Sequence, residues 1–315
     1  MQLSDRIGCR LKLHDLHVLM AVVHAGSMNK AAALLHTTQP AVSRSVAELE
    51  RTMGVRLLDR NAQGVEPTAY GRALLDGGTA VFDDLRQAVR SIAFLADPTA
   101  GEVRVGCNAH LAPNFVAAVI GRLSQRYPRI VFNVIAIQPD AQQRALTERR
   151  VDLAIGAALA PITDERLTFE TLYDETYIVA TGAQNPLARR RKIDLGLLAN
   201  EPWMLPPAES PFGAVLLQAF RARGLEYPRT IVFTHLPELR AGLLATGRFV
   251  TIFPASFLRF SPRHQGIKVL PVQLPARVQM GIFALRNRTL SPAAQLFMQT
   301  ARELTNAPEK KNGKS

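Results

Sequence analysis

Seven positions step along the chain at intervals of four and three: Leu74, Gly78, Val81, Leu85, Ala88, Ile92 and Leu95. This is the a/d spacing of a seam on one side of a long helix. Leu75, Phe82 and Val89 widen the stripe, and Thr68, after Pro67, is placed to cap a helix running to about Leu95. A rod with so wide an apolar face needs a partner to cover it, and a second copy of the chain is the expected one. Gly77-Gly78 interrupt the seam and predict a weak point or bend of about 1 kcal/mol per glycine. The rod also divides the chain. Short helices are expected on its N-terminal side, and an alternation of strand with helix on its C-terminal side.

In the N-terminal part, Leu16, Met20 and Val23 share a helical face, and Ala25-Gly26-Ser27 stops that helix and caps the next. The second helix is short and carries the small apolar residues Ala31, Ala32, Leu34 and Leu35. Thr38 is the expected cap of a third helix that opens Gln39-Pro40, where proline costs no hydrogen bond. Val42, Val46, Leu49 and Met53 form its buried stripe, so Pro40, Arg44, Ala47 and Arg51 lie opposite, with Ala41 and Ser43 beside them. Gly54 ends it, and Val55–Pro67 fits a small hairpin, or wing, with Arg56 and Arg60 near its base.

Asp97–Gly101 reads as a linker. Beyond it the pattern is strand 103–106, helix 113–126, strand 130–137, helix 141–149 and strand 151–156. A βαβαβ run of this kind predicts a parallel sheet with helices on its faces. A second run comes next: strands near 177–181, 230–233 and 249–253 with helices 212–223 and 237–246, then strand 278–285 and a closing helix 292–304. Two α/β lobes of this size predict a cleft between them. The polar tail Glu309–Ser315 reads as disordered.

A helix, a short turn and a second helix with a polar outer face is the layout that sets one helix into a major groove. Gln39 can bond an adenine edge, Ser43 can donate or accept, and Arg44 can fork onto guanine or a phosphate. Arg51, two turns on, suits a phosphate, as do Thr37, Thr38 and the N–H groups at the helix start. Bulk charge adds little. The chain carries 38 Lys/Arg against 26 Asp/Glu, but residues 1–96 hold 11 and 9 of these, a net of only +2. The excess sits in the C-terminal part, where it would equally favour an anionic ligand.

Helical spacing alone leaves an ordinary three-helix core open. The segment from Ala21 to Gly71 goes further. Gly26-Ser27, Lys30-Ala31-Ala32, Leu34-Leu35-His36, Thr38-Gln39-Pro40-Ala41-Val42-Ser43, Leu49-Glu50, Gly54-Val55-Arg56-Leu57-Leu58, Arg60 and Pro67-Thr68-Ala69-Tyr70-Gly71 resemble, in one register, the winged helix-turn-helix of LysR-type transcriptional regulators. The remainder is similar as well, over residues 11–305 in all. The resemblance implies a winged helix-turn-helix over 1–67, a linker or dimerisation helix over 68–96, a two-lobed effector domain over 97–305 like that of periplasmic solute-binding proteins (type 2), and a tail over 306–315. It implies a cytoplasmic regulator, not an enzyme and without cofactor, that binds a double-stranded operator as a dimer or tetramer, with RNA polymerase as a further partner and no membrane. Thr38, Gln39, Pro40, Ser43, Arg44 and Arg51 fall at or beside the groove-facing positions, and Arg60 falls in the wing. Two departures stand out: the paired glycines, and a wing, Asn61-Ala62-Gln63-Gly64, with little positive charge.

A small effector, with an organic acid or sugar-derived anion as the candidate chemistry, is expected between the lobes. Asn108 and His110, where the first strand feeds a helix, are candidate contacts. Ser210, in the loop Pro206–Pro211, and Thr234, at a strand end, are candidates from the other lobe. Cys107 is expected to be packing, because a redox pair needs a neighbouring thiol and Cys9, the other cysteine, lies far away in sequence. Trp203 is expected against a loop or on the cleft wall. Ser27-x-x-Lys30 matches a catalytic Ser/Lys spacing, but Ser27 has a capping role and no K-T-G comes after it. H-E-x-x-H, P-loop, G-x-S-x-G and G-x-G-x-x-G sequences are absent. The start of the chain shows no basic patch leading into an apolar run, and no stretch of about 18 apolar residues occurs. The rival readings are a solute-binding module whose N-terminal helices serve only assembly, and an enzyme with a DNA-binding head.

Overall fold

A computed structural model describes residues 10–61, 64–159, 161–259 and 266–306, with Arg60, Pro211 and Arg259 described by their backbones alone. Cys9, the wing tip Ala62-Gln63 and residues 307–315 lie outside the described residues. Two compact units divide between Arg86 and Gln87.

The first unit opens with α1 (Leu13–Ala25), α2 (Met28–Leu34) and α3 (Gln39–Met53). Their core is Val18, Leu19, Val22, Met28, Ala31, Val42, Val46 and Leu49, closed from the wing side by Leu57 and Leu58. The buried face of α1 is thus Val18-Leu19-Val22 with Leu16, whereas Met20 and Val23 are half-buried. This corrects the expected Leu16-Met20-Val23 stripe. Ser27 caps α2 as expected, its hydroxyl accepting from the N–H of Lys30 at 3.2 Å. Thr38 holds the N-cap position of α3 with extended backbone, but its hydroxyl makes no capping bond. Gly54 closes α3 at a left-handed φ of 74°.

The wing is β1 (Leu58–Asn61) paired antiparallel with β2 (Gly64–Pro67). Glu50 on α3 fixes it, one carboxylate oxygen accepting from the N–H of Leu57 at 2.8 Å and of Leu58 at 3.2 Å. Thr68 then caps α4 (Ala69–Ala96), its hydroxyl accepting from Gly71 at 3.0 Å. The expected weak point in α4 has a packing reason. Leu16 lies so close to Gly78 that a Cβ there would meet its Cδ1 at 2.9 Å, whereas Gly77 faces open space. Leu74 and Leu75 also pack on the three-helix core.

The second unit is built on one eight-stranded sheet. Its elements are β3 (Ala100–Cys107), α5 (Ala117–Arg126) preceded by a π-helical turn, β4 (Arg129–Ala136), α6 (Gln142–Thr147), β5 (Leu153–Ala157), β6 (Leu167–Gly182), β7 (Trp203–Leu205), α7 (Pro211–Arg221), β8 (Thr230–Phe233), α8 (Pro237–Leu244), β9 (Val250–Pro254), α9 (Ala255–Arg259), β10 (Ile267–Leu285) and α10 (Pro292–Asn306). Strand order is β4-β3-β5-β10-β6-β9-β7-β8. The β4-β3-β5 and β9-β7-β8 groups are parallel, but β5-β10, β10-β6 and β6-β9 are antiparallel. The first βαβαβ run is parallel as expected, but the sheet as a whole is mixed. β6 and β10 are far longer than expected. They pair along their length and run from one lobe into the other, confirming the two-lobed type 2 fold. One core gathers β3, β5, α5 and α10 around Phe115 and Phe297, and another gathers β7, β9 and α7 around Trp203 and Phe220. Trp203 is fully buried in β7, edge-on to Phe220, with its indole N–H donating to the carbonyl of Leu198 at 2.7 Å. It packs in a strand and does not wall the cleft.

Asp152, just before β5, is fully buried among cations. It accepts from Arg104 Nη2 at 2.7 Å and the Arg104 backbone N–H at 2.8 Å, from Arg288 Nη2 at 2.8 Å and from Gln87 Nε2 at 3.3 Å, with Arg90 Nη1 at 3.6 Å. Arg90 also pairs with Glu102. Gln87 and Arg90 belong to α4, so the last turns of the long helix are joined to the first lobe.

Both sets of contacts can be tested by substitution. Asp152→Asn leaves buried guanidinium charge without its counter-ion and should cost about 3–5 kcal/mol in denaturant unfolding; a loss below about 1 kcal/mol would show that the cluster is not structural. Gly77→Ala should stabilise by up to about 1 kcal/mol, whereas Gly78→Ala should lose that gain to the clash with Leu16; equal melting shifts for the two would contradict the packing argument.

Candidate functional sites

The outward face of α3 carries the residues singled out from sequence. Thr38, Pro40, Arg44 and Arg51 are exposed, and Gln39 and Ser43 are half-buried. Their separation from the core comes from the Val42-Val46-Leu49 stripe, which turns them away from α1 and α2. Among the described residues Arg44 has no hydrogen bond or ion pair to hold it. Arg51 differs: its guanidinium grips Glu48 with two bonds, Nε at 3.1 Å and Nη2 at 2.5 Å. That pairing raises the arginine pKa and lowers the carboxylate's, through the hydrogen bonds first and charge second. The pair is solvent-exposed and weak enough to exchange for another anion. The side chain of Arg60 lies outside the described residues.

In the second unit a cavity of about 330 Å³ opens between the lobes. It sits beyond the C-terminal ends of β3, β5 and β9, the usual place for a ligand in an open α/β sheet. Asn108 and His110 line it from the first lobe, and Ser210 from the second, as expected. Thr234 does not line it; its neighbours His235 and Leu236 do, and the Thr234 hydroxyl instead accepts from the Leu236 N–H at 3.0 Å.

Two of the lining side chains are already occupied. Asn108 is buried and bridges strand ends, donating to the carbonyl of Ile137 at 3.1 Å and accepting from the N–H of Ala157 at 3.3 Å. Ser210 caps α7, donating to the Pro207 carbonyl at 2.7 Å and accepting from Gly213 at 3.0 Å. His110 is the candidate left with an uncommitted ring. Burial, aided by the positive charge of Arg240, holds its pKa down at about 4, so the imidazole is neutral at physiological pH.

Sequence reading missed Tyr177 on β6 and Arg240 on α8 as lining residues. Arg240 falls between Pro237 and Leu244 on the buried stripe of its helix, and an arginine in that position was the available signal. Burial drives the Tyr177 phenol upward, keeping it protonated. Cys107 is buried at the end of β3 and its thiol is pushed to about 11 by burial, so it packs and does not act as a nucleophile. Among the described residues no group of three or more His, Cys, Asp or Glu could hold a metal, and no helix is long and apolar enough to cross a membrane.

Comparison with known proteins matches both halves. Residues 13–72 fit the bacterial regulatory helix-turn-helix protein, lysR family, and residues 96–306 fit the LysR substrate binding domain. The chain belongs to the LysR family of DNA-binding transcriptional regulators. Among relatives, the HTH-type transcriptional regulator GbpR of Azospirillum brasilense is 27% identical over 299 residues, covering 94% of this chain and 87% of its own. In fold, this LysR-type regulator is similar to a cysteine-substituted variant of full-length OxyR from Pseudomonas aeruginosa (TM-score 0.66, 20% identity, 93% and 95% of the two chains). It is also similar to full-length CbnR complexed with its target DNA (TM-score 0.55, 20% identity, 94% and 100%). The family is one of regulators, not of enzymes.

The His110 environment predicts a pH effect. An unfolded chain protonates this imidazole near 6.5 and the folded regulator only near 4. Between those values the unfolded state holds the extra proton, so stability from this group is complete above about pH 6.5 and drains away as pH falls toward 4. In urea melts from pH 7 to 4.5, His110→Gln should lose less stability than the wild type; parallel losses would refute the assigned environment.

Proposed function

We propose that two or four copies of this regulator bind an operator of dyad symmetry, each laying α3 in a major groove, and that a small molecule in the interlobe cavity alters how the copies sit on the DNA. The observation that carries the DNA part is the exposed, unengaged Arg44 on the outward face of a helix that begins with Gln39. A groove admits one helix, and the N-terminal half of that helix meets the base edges. Gln39, Pro40, Ser43 and Arg44 occupy that half. Thr38 and Arg51 flank it at phosphate height, Arg51 by exchanging Glu48 for a backbone oxygen. Arg60 in the wing is the proposed minor-groove or phosphate contact.

Self-association is supported by the far end of α4. Val89, Ile92 and Leu95 are 64%, 66% and 81% exposed, and Val81 and Leu85 continue the apolar line. The seam read from sequence thus has two uses: Leu74, Leu75 and Gly78 are consumed by the first unit's own core, and the turns from Val81 onward are left for a second copy. Control by a small molecule is supported by the cavity and its polar lining; the effector must bind the two arrangements unequally to shift them.

The test is a gel-shift titration with the DNA upstream of the protein's own gene. Arg44→Ala should weaken binding by about 1–3 kcal/mol, roughly 5- to 150-fold, at the operator and much less on unrelated DNA. A loss equal on both DNAs would reassign Arg44 to phosphate, and no loss would remove it from the interface.

A further inference from the structure

The interlobe cavity is lined by a cation that lacks a counter-ion. Arg240 is 3% exposed, and its partners are all neutral. Nη1 donates to the Ile252 carbonyl at 2.7 Å and reaches the Thr251 hydroxyl at 3.4 Å. The guanidinium lies over the Phe253 ring, 5.1 Å from its centroid, and Nε has no hydrogen-bond partner. Among the described residues no carboxylate pairs with it. Glu238, the acidic group whose charge reaches it, is exposed at the start of the same helix. Burial is severe enough to pull even this arginine down to about 10. A charge so deep in a protein ordinarily has an opposite charge against it.

The rest of the lining narrows what could supply that charge. His110 faces the same space as a neutral ring, offering a hydrogen bond but no second charge. Asp140 is exposed at the cavity edge and repels further anions. Leu159, Tyr177, Phe212 and Met280 make the walls largely apolar, with the Tyr177 and Phe212 rings 4.9 Å apart. A volume of about 330 Å³ is at the lower end for small-molecule sites.

We propose that the cavity takes a small monoanion with an apolar body, its carboxylate held by the Arg240 guanidinium and its body laid against Tyr177 and Phe212. This rests on reading the cavity as the effector site, and adds the ligand's charge, its number of charges and the residue that anchors it. Arg240 is the one buried cation of the described lining, and His235, the other basic side chain beside the neutral His110, is exposed to solvent, so a second negative charge finds no buried partner and meets Asp140. A neutral isostere leaves the guanidinium uncompensated.

The test uses the full chain in low-chloride buffer, with calorimetry and thermal melts at millimolar probe. The probes are benzoate and cyclohexanecarboxylate, their matched amides, and phthalate as the dianion. Both monocarboxylates should bind, with amides and phthalate weaker by about tenfold or more. Arg240→Gln should erase the preference of acid over amide, a readout that a merely structural Arg240 would not move; the unliganded melting temperature falls for either role, because the Ile252 carbonyl loses its donor. Arg240→Lys keeps the charge, so acid should still exceed amide at reduced affinity; this variant decides the matter if the Gln variant does not fold. Amides binding as well as acids, acids binding Arg240→Gln undiminished, or no binding of either acid would each overturn the proposal. A gel shift separates it from the reading beneath it. Acid binding through Arg240 that leaves operator affinity unchanged keeps the anion site and removes the effector role; amides that bind equally and move operator affinity do the reverse.

Discussion

Asp152 is the point from which the substrate-binding half is hung. A single carboxylate with no exposure holds two guanidinium groups directly, a third at 3.6 Å and a helix glutamine. Removing a carboxylate from water is expensive, and only dense hydrogen bonding makes such a site tolerable. The gain is geometric. Arg104, midway along β3, and Asp152, just before β5, stand where the two strands begin to pair, and Asn108 and Ala157 stand at the far ends of the same strands, joined to each other at 3.3 Å. The first-lobe wall of the cavity is therefore set by two short, rigid strands tied at both ends. Gly156 keeps the far tie open, since a Cβ there would strike Gln142 Nε2 at 1.9 Å and Asn108 Oδ1 at 2.7 Å.

How much of this could be read from the sequence depended on whether a pattern was local. The three short helices, the wing and the long rod were legible because their apolar spacings and caps are complete within each element. The crossover strands were not. The first nine residues of β6 carry Thr168, Glu170, Thr171, Asp174 and Glu175 among apolar ones, which blurs the alternation. β10 contains Pro271 and Pro275, residues that argue against a strand. The structure accommodates both prolines at register irregularities, between Val269 and Gln273 and between Gln273 and Arg277. Trp203 was hidden for another reason: its strand is only three residues long.

The cavity was half legible. Strand ends pointed to Asn108 and His110, and a loop to Ser210, but which side chains have spare bonding capacity is a tertiary property. Asn108 and Ser210 are spent on their own backbone neighbours. Arg240 escaped notice because the positive excess looked like a property of the surface. Several of those arginines in fact work inside the protein: Arg288 and Arg240 are buried, and Arg104 is nearly so. Net charge was thus a poor guide to the DNA-binding half, whose face depends on a few well-placed groups.

The clamp on α4 also bears on where the chain can be cut. A natural-looking place to excise the ligand-binding half is the Asp97–Gly101 segment, where composition shifts. A fragment starting there would discard Gln87 and Arg90, strip two partners from Asp152 and leave Glu102 without its arginine. The minimal autonomous piece instead begins about three turns earlier, inside the rod. It carries a stub of helix that is sequence-continuous with the DNA-binding half but architecturally part of the other.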